Sequence, residues 1–483
     1  MELKNITQIH AKRNSYPIKI IQFGEGNFLR AFADWIIDSM NKTLPFNAGV
    51  AVVQPIEQGM VEKLKEQDGL YTVYLTGIKG GEAIKEHFLI DCISQLNNPY
   101  QNFSEYLSLA QNPDVRLVIS NTTEAGIRFD DQDRPDDQPP GSFPAKLTVL
   151  LYHRYQYFKG SADKGLILLP CELINHNGTQ LKDTVLKYVQ WWNLEEGFAN
   201  WLHQHNIFCN TLVDRIVPGF PRDTIAEIQN ELGYKDHFVV EGELFHLWVI
   251  EAPQSVQKEF PAPEAGLNVV FTDNLQPYRT RKVRILNGAH TAMVPVGLLW
   301  GIETVKEAIE HEKVGRFISQ AIFEEILPVL PLPQPELEQF AQDVIDRFRN
   351  PFIKHYLSSI ALNAFSKFET RVLPTIFEYQ KLTGKLPKRL IFSFASLILF
   401  YKKNYEDREM PIQDDVYVVE TLQNAWQQYD YSEASIAAIV ETALGMEDVW
   451  KQNLNTHEAL KDAIFTQLVD ILTHGLENAW DLF

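Results

Sequence analysis

The sequence predicts an α/β fold in two parts, strands interleaved with helices first and an almost wholly helical part after. Three observations predict it. Short apolar runs, each bounded by turn residues and followed by segments of helical period, recur up to about residue 272. Beyond residue 290 the helical period continues and strand-like alternation nearly disappears. The length, 483 residues, exceeds what one hydrophobic core usually supports, so two domains are expected, 1–279 and 280–483.

The first run, residues 18–23, reads as a buried strand and leads into Gly24-Glu25-Gly26-Asn27-Phe28-Leu29-Arg30-Ala31. Phe28, Phe32, Trp35 and Ile36 carry helical spacing, so the order is strand, tight turn, helix. In that setting Gly24 permits the turn and Gly26 lets the backbone approach a pyrophosphate, with helix N–H groups facing the phosphates. This predicts a Rossmann-type N-terminal domain with Phe23, Gly24, Gly26, Asn27 and Phe28 at the cofactor. Leu29 stands where a third glycine is usual, and a small residue, Ala31, arrives slightly later. Residues 49–53 form the second strand, with Glu57 as the nearest acid after it. No arginine follows at once, which favours NAD over NADP.

Residues 70–76 and 87–92 read as further strands, an antiparallel addition to the sheet. Residues 115–120 are the next buried strand, and the loop 121–126 after it, Asn121 and Thr122 foremost, is expected at the cofactor edge. Residues 130–141 read as an exposed excursion, and Lys146 near the next helix start faces either a ligand or solvent. Residues 165–170 open onto Cys171-Glu172-Leu173-Ile174-Asn175-His176-Asn177-Gly178, and residues 239–250 and 267–272 complete the strands. Asp214 and Arg215 are either a buried structural pair or part of a site floor.

The chemistry concentrates at residues 279–304. Lys282, Asn287 and His290 are spaced by five and three, and Asn287 and His290 share one face of a helix. A lysine can donate or accept a proton, a carboxamide can donate to an oxygen that gains charge, and an imidazole can orient or relay. In the oxidative direction Lys282 must be neutral, which burial or the adjacent Arg281 and Arg284 would favour. Past this stretch, residues 353–370 read as one helix, and basic residues gather at Arg347, Arg349, Lys354, Lys367 and Arg371. Within a chain of net charge 44 minus 63, or −19, that is the pattern of a local anion site. The overall charge argues against a general nucleic-acid binder. Cys92, Cys171 and Cys209 form neither a disulfide framework nor a metal cluster, so no metal is expected. No apolar signal core or membrane span is read, and a cytoplasmic location fits.

The glycine turn with Arg30-Ala31, the Lys282, Asn287 and His290 spacing, Asn350-Pro351 and Ser366-Lys367 together resemble the long-chain mannitol dehydrogenase family, nearest its uronate-acting members. The resemblance runs essentially end to end. It implies a metal-independent, NAD-dependent dehydrogenase acting on a small-molecule uronate. Lys282 would be the general acid/base, Asn287 would polarise the reacting oxygen and His290 would hold the substrate. It also implies substrate contacts at Asn350, His355 and Lys367, with Lys367, Arg349 or Arg371 taking the carboxylate. Relatives acting on neutral polyols show Cys-Asp-Asn-Leu where this chain has Cys171-Glu172-Leu173-Ile174, so an amide is lost at Leu173; either a neighbour such as Asn175 compensates or the uronate pocket is arranged differently. The alternatives are another uronate or polyol dehydrogenase of the family, or a nucleotide-binding protein without turnover.

Overall fold

The computed structural model describes residues 3–11, 14–79, 81–122, 126–352 and 354–481. Thr123, Glu124 and Ala125 of the expected cofactor-edge loop, and Ile353 at the start of the expected 353–370 helix, lie outside the described residues. The chain folds into two compact units, residues 1–77 with 84–275, and residues 78–83 with 276–483.

The first unit is built on a six-stranded sheet of β1 (Ile18–Phe23), β2 (Gly49–Val53), β3 (Ile93–Asn97), β4 (Leu117–Ser120), β5 (Ile167–Pro170) and β6 (Ile207–Phe208). Its order is β3-β2-β1-β4-β5-β6 and every neighbouring pair is parallel. Both faces of such a sheet are covered, which is why β2, β4 and β5 are continuous apolar runs rather than alternating ones. One face packs on Phe32, Ile36, Trp248 and Phe260, the other on Leu147, Leu151, Leu181 and Val185. The strand order reverses between β1 and β4, so a crevice opens at their carboxyl ends.

Two expectations are corrected here. Tyr71–Lys79 and Glu82–Ile90 do not extend the main sheet. They form a separate three-stranded sheet in which Tyr71–Lys79 pairs in parallel with Val240–Glu243. The expected strand 239–250 is two strands, because the chain turns at 244–246 and Leu247–Glu251 joins a third sheet with Asn210–Asp214 and Val269–Thr272. The 130–141 excursion is largely exposed, as expected, and is anchored at one point: the buried Asp133 carboxylate accepts from Gly141 N–H at 2.5 Å and from the Tyr188 hydroxyl at 2.8 Å.

Asp34 closes a π-helical turn, Arg30–Asp34, and is fully buried, accepting from the Tyr71 hydroxyl at 2.7 Å. Burial raises its carboxyl from 3.8 to about 6, against smaller lowering by Tyr71, Gln22 and Arg30. The folded state therefore binds this proton more tightly than the unfolded state, and the resulting stability is present at low pH and lost as pH rises through about 6. Wild-type melting temperature should thus fall relative to that of Asp34→Asn between about pH 4 and 7, by the equivalent of at most ~3 kcal/mol. A difference that does not change with pH would show that Asp34 does not titrate in this window.

From residue 276 on, the regular elements of the second unit are helices apart from the two-residue strands Asn404–Tyr405 and Arg408–Glu409 among its described residues. Residues 276–300 form one continuous helix, in which Gly288–Trp300 is apolar nearly all round and correspondingly buried. It packs against Leu357–Ile360, Ala364–Arg371 and Lys388–Phe400. The expected helix 353–370 is interrupted. Asn363 adopts φ 54°, a left-handed conformation that asparagine tolerates, and the chain restarts as Ala364–Arg371. No helix among the described residues is long and apolar enough to cross a membrane.

Candidate functional site

In the first unit the chemistry-bearing residues lie at the β1/β4 crevice. Phe23 ends β1 and is buried against Phe143 and Tyr106. Gly24 has φ +120°, and a Cβ there would lie 3.0 Å from the Asn121 carbonyl oxygen and 3.0 Å from Leu29 Cδ1, so only glycine fits. Gly26 is exposed at the start of the helical run 27–43 and takes no side-chain cap. Beyond its own chain neighbours, no atom lies within 4 Å of where its Cβ would be. Uncapped N–H groups beside open space suit a phosphate oxygen, so the turn fits a dinucleotide pyrophosphate.

Arg30 braces this turn from below. Its buried guanidinium donates to Glu25 O at 3.2 Å, to Asn27 Oδ1 at 2.6 Å and to Phe238 O at 2.7 Å. Phe28 stacks on Phe32, with ring centroids 5.0 Å apart. Asn121 donates from its backbone to Phe23 O and from its side chain to Cys171 O at 2.8 Å. Thr122 donates through both N–H and hydroxyl to Glu172 Oε1, each at 3.0 Å, while Ser120 donates to Oε2. Glu172 is thus the buried organiser of this loop, and burial pushes its carboxyl up. Glu25 is a second buried acid, accepting from Met60 N–H at 3.1 Å, its carboxyl also raised by burial. Sequence reasoning passed over both, because the burial of a lone acid depends on donors distant in sequence.

Glu57 is exposed, and the end of β2 is instead folded by buried Gln54, which donates to Ile56 O and Glu57 O at 2.9 Å each. Asn175 is exposed, whereas Asn177 is buried and donates to Pro170 O, Glu172 O and Thr211 O. Lys146 faces neither solvent nor open space. It is buried over the Tyr100 ring, donates to Gly141 O at 2.7 Å, and is pushed down to about 8 by desolvation. Arg215 is structural, donating to Ala31 O, Leu244 O and Phe245 O over the Trp35 ring.

The second unit gathers the other set. Lys282–Asn287 is a π-helical turn within the 276–300 helix. In an α-helix residues five apart sit about 140° apart around the axis. A π turn bonds i to i+5 and brings such residues close to alignment, so Lys282 and Asn287, its two ends, share a face. Both are partly exposed, and His290 follows, buried, one α-turn on. The His290 ring lies 4.3 Å from that of Phe348 and 5.0 Å edge-on from that of His355. His355 is held below the ordinary imidazole range by desolvation and then by the charge of Arg347.

The arginines flanking Lys282 are not bare neighbouring charges. Arg281 pairs with Glu336 at 2.5 Å, and Arg284 with Glu378 at 3.0 Å and the Thr375 hydroxyl at 2.7 Å. Asn350 is buried and accepts from Phe352 N–H at 3.0 Å. Lys367 donates to Ile360 O at 2.9 Å, and Arg371 approaches the Thr291 hydroxyl at 3.5 Å. Arg349 is exposed. The structure thus associates His290 with His355 and Thr291 with Arg371, while Arg349 stands outside in solvent.

Family models match nearly the whole chain: the mannitol dehydrogenase Rossmann domain over residues 18–263 and the mannitol dehydrogenase C-terminal domain over residues 274–472. The altronate oxidoreductase of Bacillus subtilis (strain 168) is 51% identical over 97% of this chain and 95% of its own. That of Yersinia pestis bv. Antiqua (strain Nepal516) is 47% identical over 96% of each. Among solved structures, a D-sorbitol dehydrogenase in substrate-free form aligns with TM-score 0.80 at 21% identity, over 99% of this chain and 100% of that one. The Pseudomonas fluorescens mannitol 2-dehydrogenase, in ternary complex with NAD and D-mannitol, aligns with TM-score 0.66 at 22% identity, covering 98% and 94%. These two share the fold.

Proposed function

The chain belongs to the mannitol dehydrogenase family and is an oxidoreductase, and we propose that it interconverts D-tagaturonate and D-altronate with NADH and NAD as the hydride couple. The observation that carries this is the near full-length identity of about half to altronate oxidoreductases. The glycine turn at Gly24 and Gly26, with Phe23, Asn27, Phe28, Asn121 and Thr122 around it, would hold the dinucleotide. When bound, the nicotinamide supplies or accepts the hydride.

The chain's own residues manage the oxygen. In reduction the carbonyl oxygen gains negative charge, Asn287 donates a hydrogen bond to it and Lys282 delivers the proton. The π turn aligns those two donors on one helix face, so both can address a single oxygen. His290, packed against His355, would orient the substrate, and Asn350 and Lys367 would contact it.

A substrate panel tests the reading. Purified protein with NADH, followed by loss of nicotinamide absorbance, should consume D-tagaturonate far faster than D-fructuronate or D-fructose, and NADPH should serve poorly. Faster turnover of fructuronate would move the substrate to a neighbouring uronate. Turnover of fructose alone would refute the uronate assignment.

A further inference from the structure

Three buried or partly buried guanidinium groups of the second unit are neutralised by carboxylates. Arg281 has Glu336, Arg284 has Glu378, and Arg389 has Glu324 at 2.9 Å and Glu325 at 3.3 Å. Arg371 departs from this pattern. It is partly buried, yet its polar contact is a neutral hydroxyl, Thr291 Oγ1, at a long 3.5 Å. Among the described residues no carboxylate lies within ion-pair distance of it. One α-turn earlier on the same face stands a second cation, Lys367, whose ammonium is satisfied by a backbone carbonyl, Ile360 O.

The nearest acid does not compensate them. Asp414 acts on Lys367 only through its field, and its carboxylate is occupied by the Tyr401 hydroxyl and by Phe365 N–H. Two like charges in one helical turn, both partly removed from water, are unfavourable until an anion joins them. Desolvation lowers both groups, and the charge of Arg371 lowers Lys367 further.

The pair also stands close to the reactive helix. Arg371 closes the helix Ala364–Arg371, which packs tightly enough on the 276–300 helix that a Cβ at Gly288 would lie 3.1 Å from Arg371 O. Its guanidinium reaches Thr291, the residue next to His290. Arg349 has no such placement, being exposed at the end of Gln334–Phe348. A guanidinium fork matches a carboxylate through two parallel hydrogen bonds, which an ammonium cannot reproduce.

We propose that Arg371 binds the substrate carboxylate and sets the preference for a uronate over the neutral ketose of the same skeleton, Lys367 adding charge beside it. This rests on the uronate reading of the site and specifies how the acid is recognised.

The test compares wild type, Arg371→Lys and Arg371→Met by steady-state kinetics on D-tagaturonate and on D-tagatose. Calorimetric binding of D-altronate and fluorescence titration of NADH accompany the kinetics. Arg371→Met should lose about 10²- to 10³-fold in kcat/KM on the uronate and lose D-altronate binding, while D-tagatose turnover and NADH affinity hold. Arg371→Lys, keeping charge without the fork, should lie between them. Equal loss on both ketoses would mark Arg371 as a scaffold of the 276–300 helix, and no loss on the uronate would place the carboxylate elsewhere. Either overturns the proposal. Wild type that reduces only D-tagatose refutes the uronate reading. In that case D-altronate binding that Arg371→Met abolishes would still establish the anion site, and its absence in wild type would remove it.

Discussion

Replacing Lys282 with alanine lowers turnover on the uronate by about 10³-fold, within the range that loss of a general acid/base produces, and leaves NADH affinity where it was. The separation is expected because Lys282 belongs to the helical unit, whereas the glycine turn belongs to the other. Lys282 is only partly buried, so added small primary amines can reach its place and should restore part of the rate. Equal loss of turnover and of NADH binding would show that Lys282 is holding structure rather than moving a proton.

Gly26→Val removes NADH binding, by about 10²-fold or more, with no change in melting temperature. Beyond its own chain neighbours, no atom lies within 4 Å of a Cβ at Gly26, so the folded protein accommodates the new side chain without repacking. The same open space is where a pyrophosphate must approach the uncapped helix start, so the isopropyl group fills the ligand's place. Gly24→Ala is the contrast. At φ +120° and 3.0 Å from a backbone oxygen it should lower stability and affinity together. Unchanged NADH affinity in Gly26→Val, measured by fluorescence titration, would mean that the dinucleotide does not lie on this turn.

Much of this architecture is legible in the residues themselves. Runs such as Gly49–Val53 and Ile167–Pro170 announce parallel strands because both sheet faces are covered, and a strand, Gly24-x-Gly26 and an amphipathic helix announce the crevice. What is hidden depends on partners far along the chain. Tyr71–Lys79 alternates like any half-buried strand, and only its pairing with Val240–Glu243 decides which sheet it joins. Glu172, Glu25 and Asp133 read as ordinary surface acids until distant donors bury them. Asn363 breaks a helix whose apolar period runs straight through it. Lys146 shows the same limit, since its enclosure under Tyr100 has no local signature.

The π turn at Lys282–Asn287 also bears on which sequence changes the site can absorb. Such a turn is an α-helix carrying one residue more than its ladder needs, held as a local bulge. Deleting a single residue between Lys282 and Asn287, Val283 for example, would let the ladder close as α. The lysine and the amide would then stand four residues apart on an α-helix, about 40° around the axis and still on one face. Every chemical group would still be present, the helix would gain regularity, and the two donors would still share a face. The bulge is therefore what reconciles a spacing of five with one face: its loss at unchanged length, which would set the two donors about 140° apart, is the change the chemistry cannot absorb.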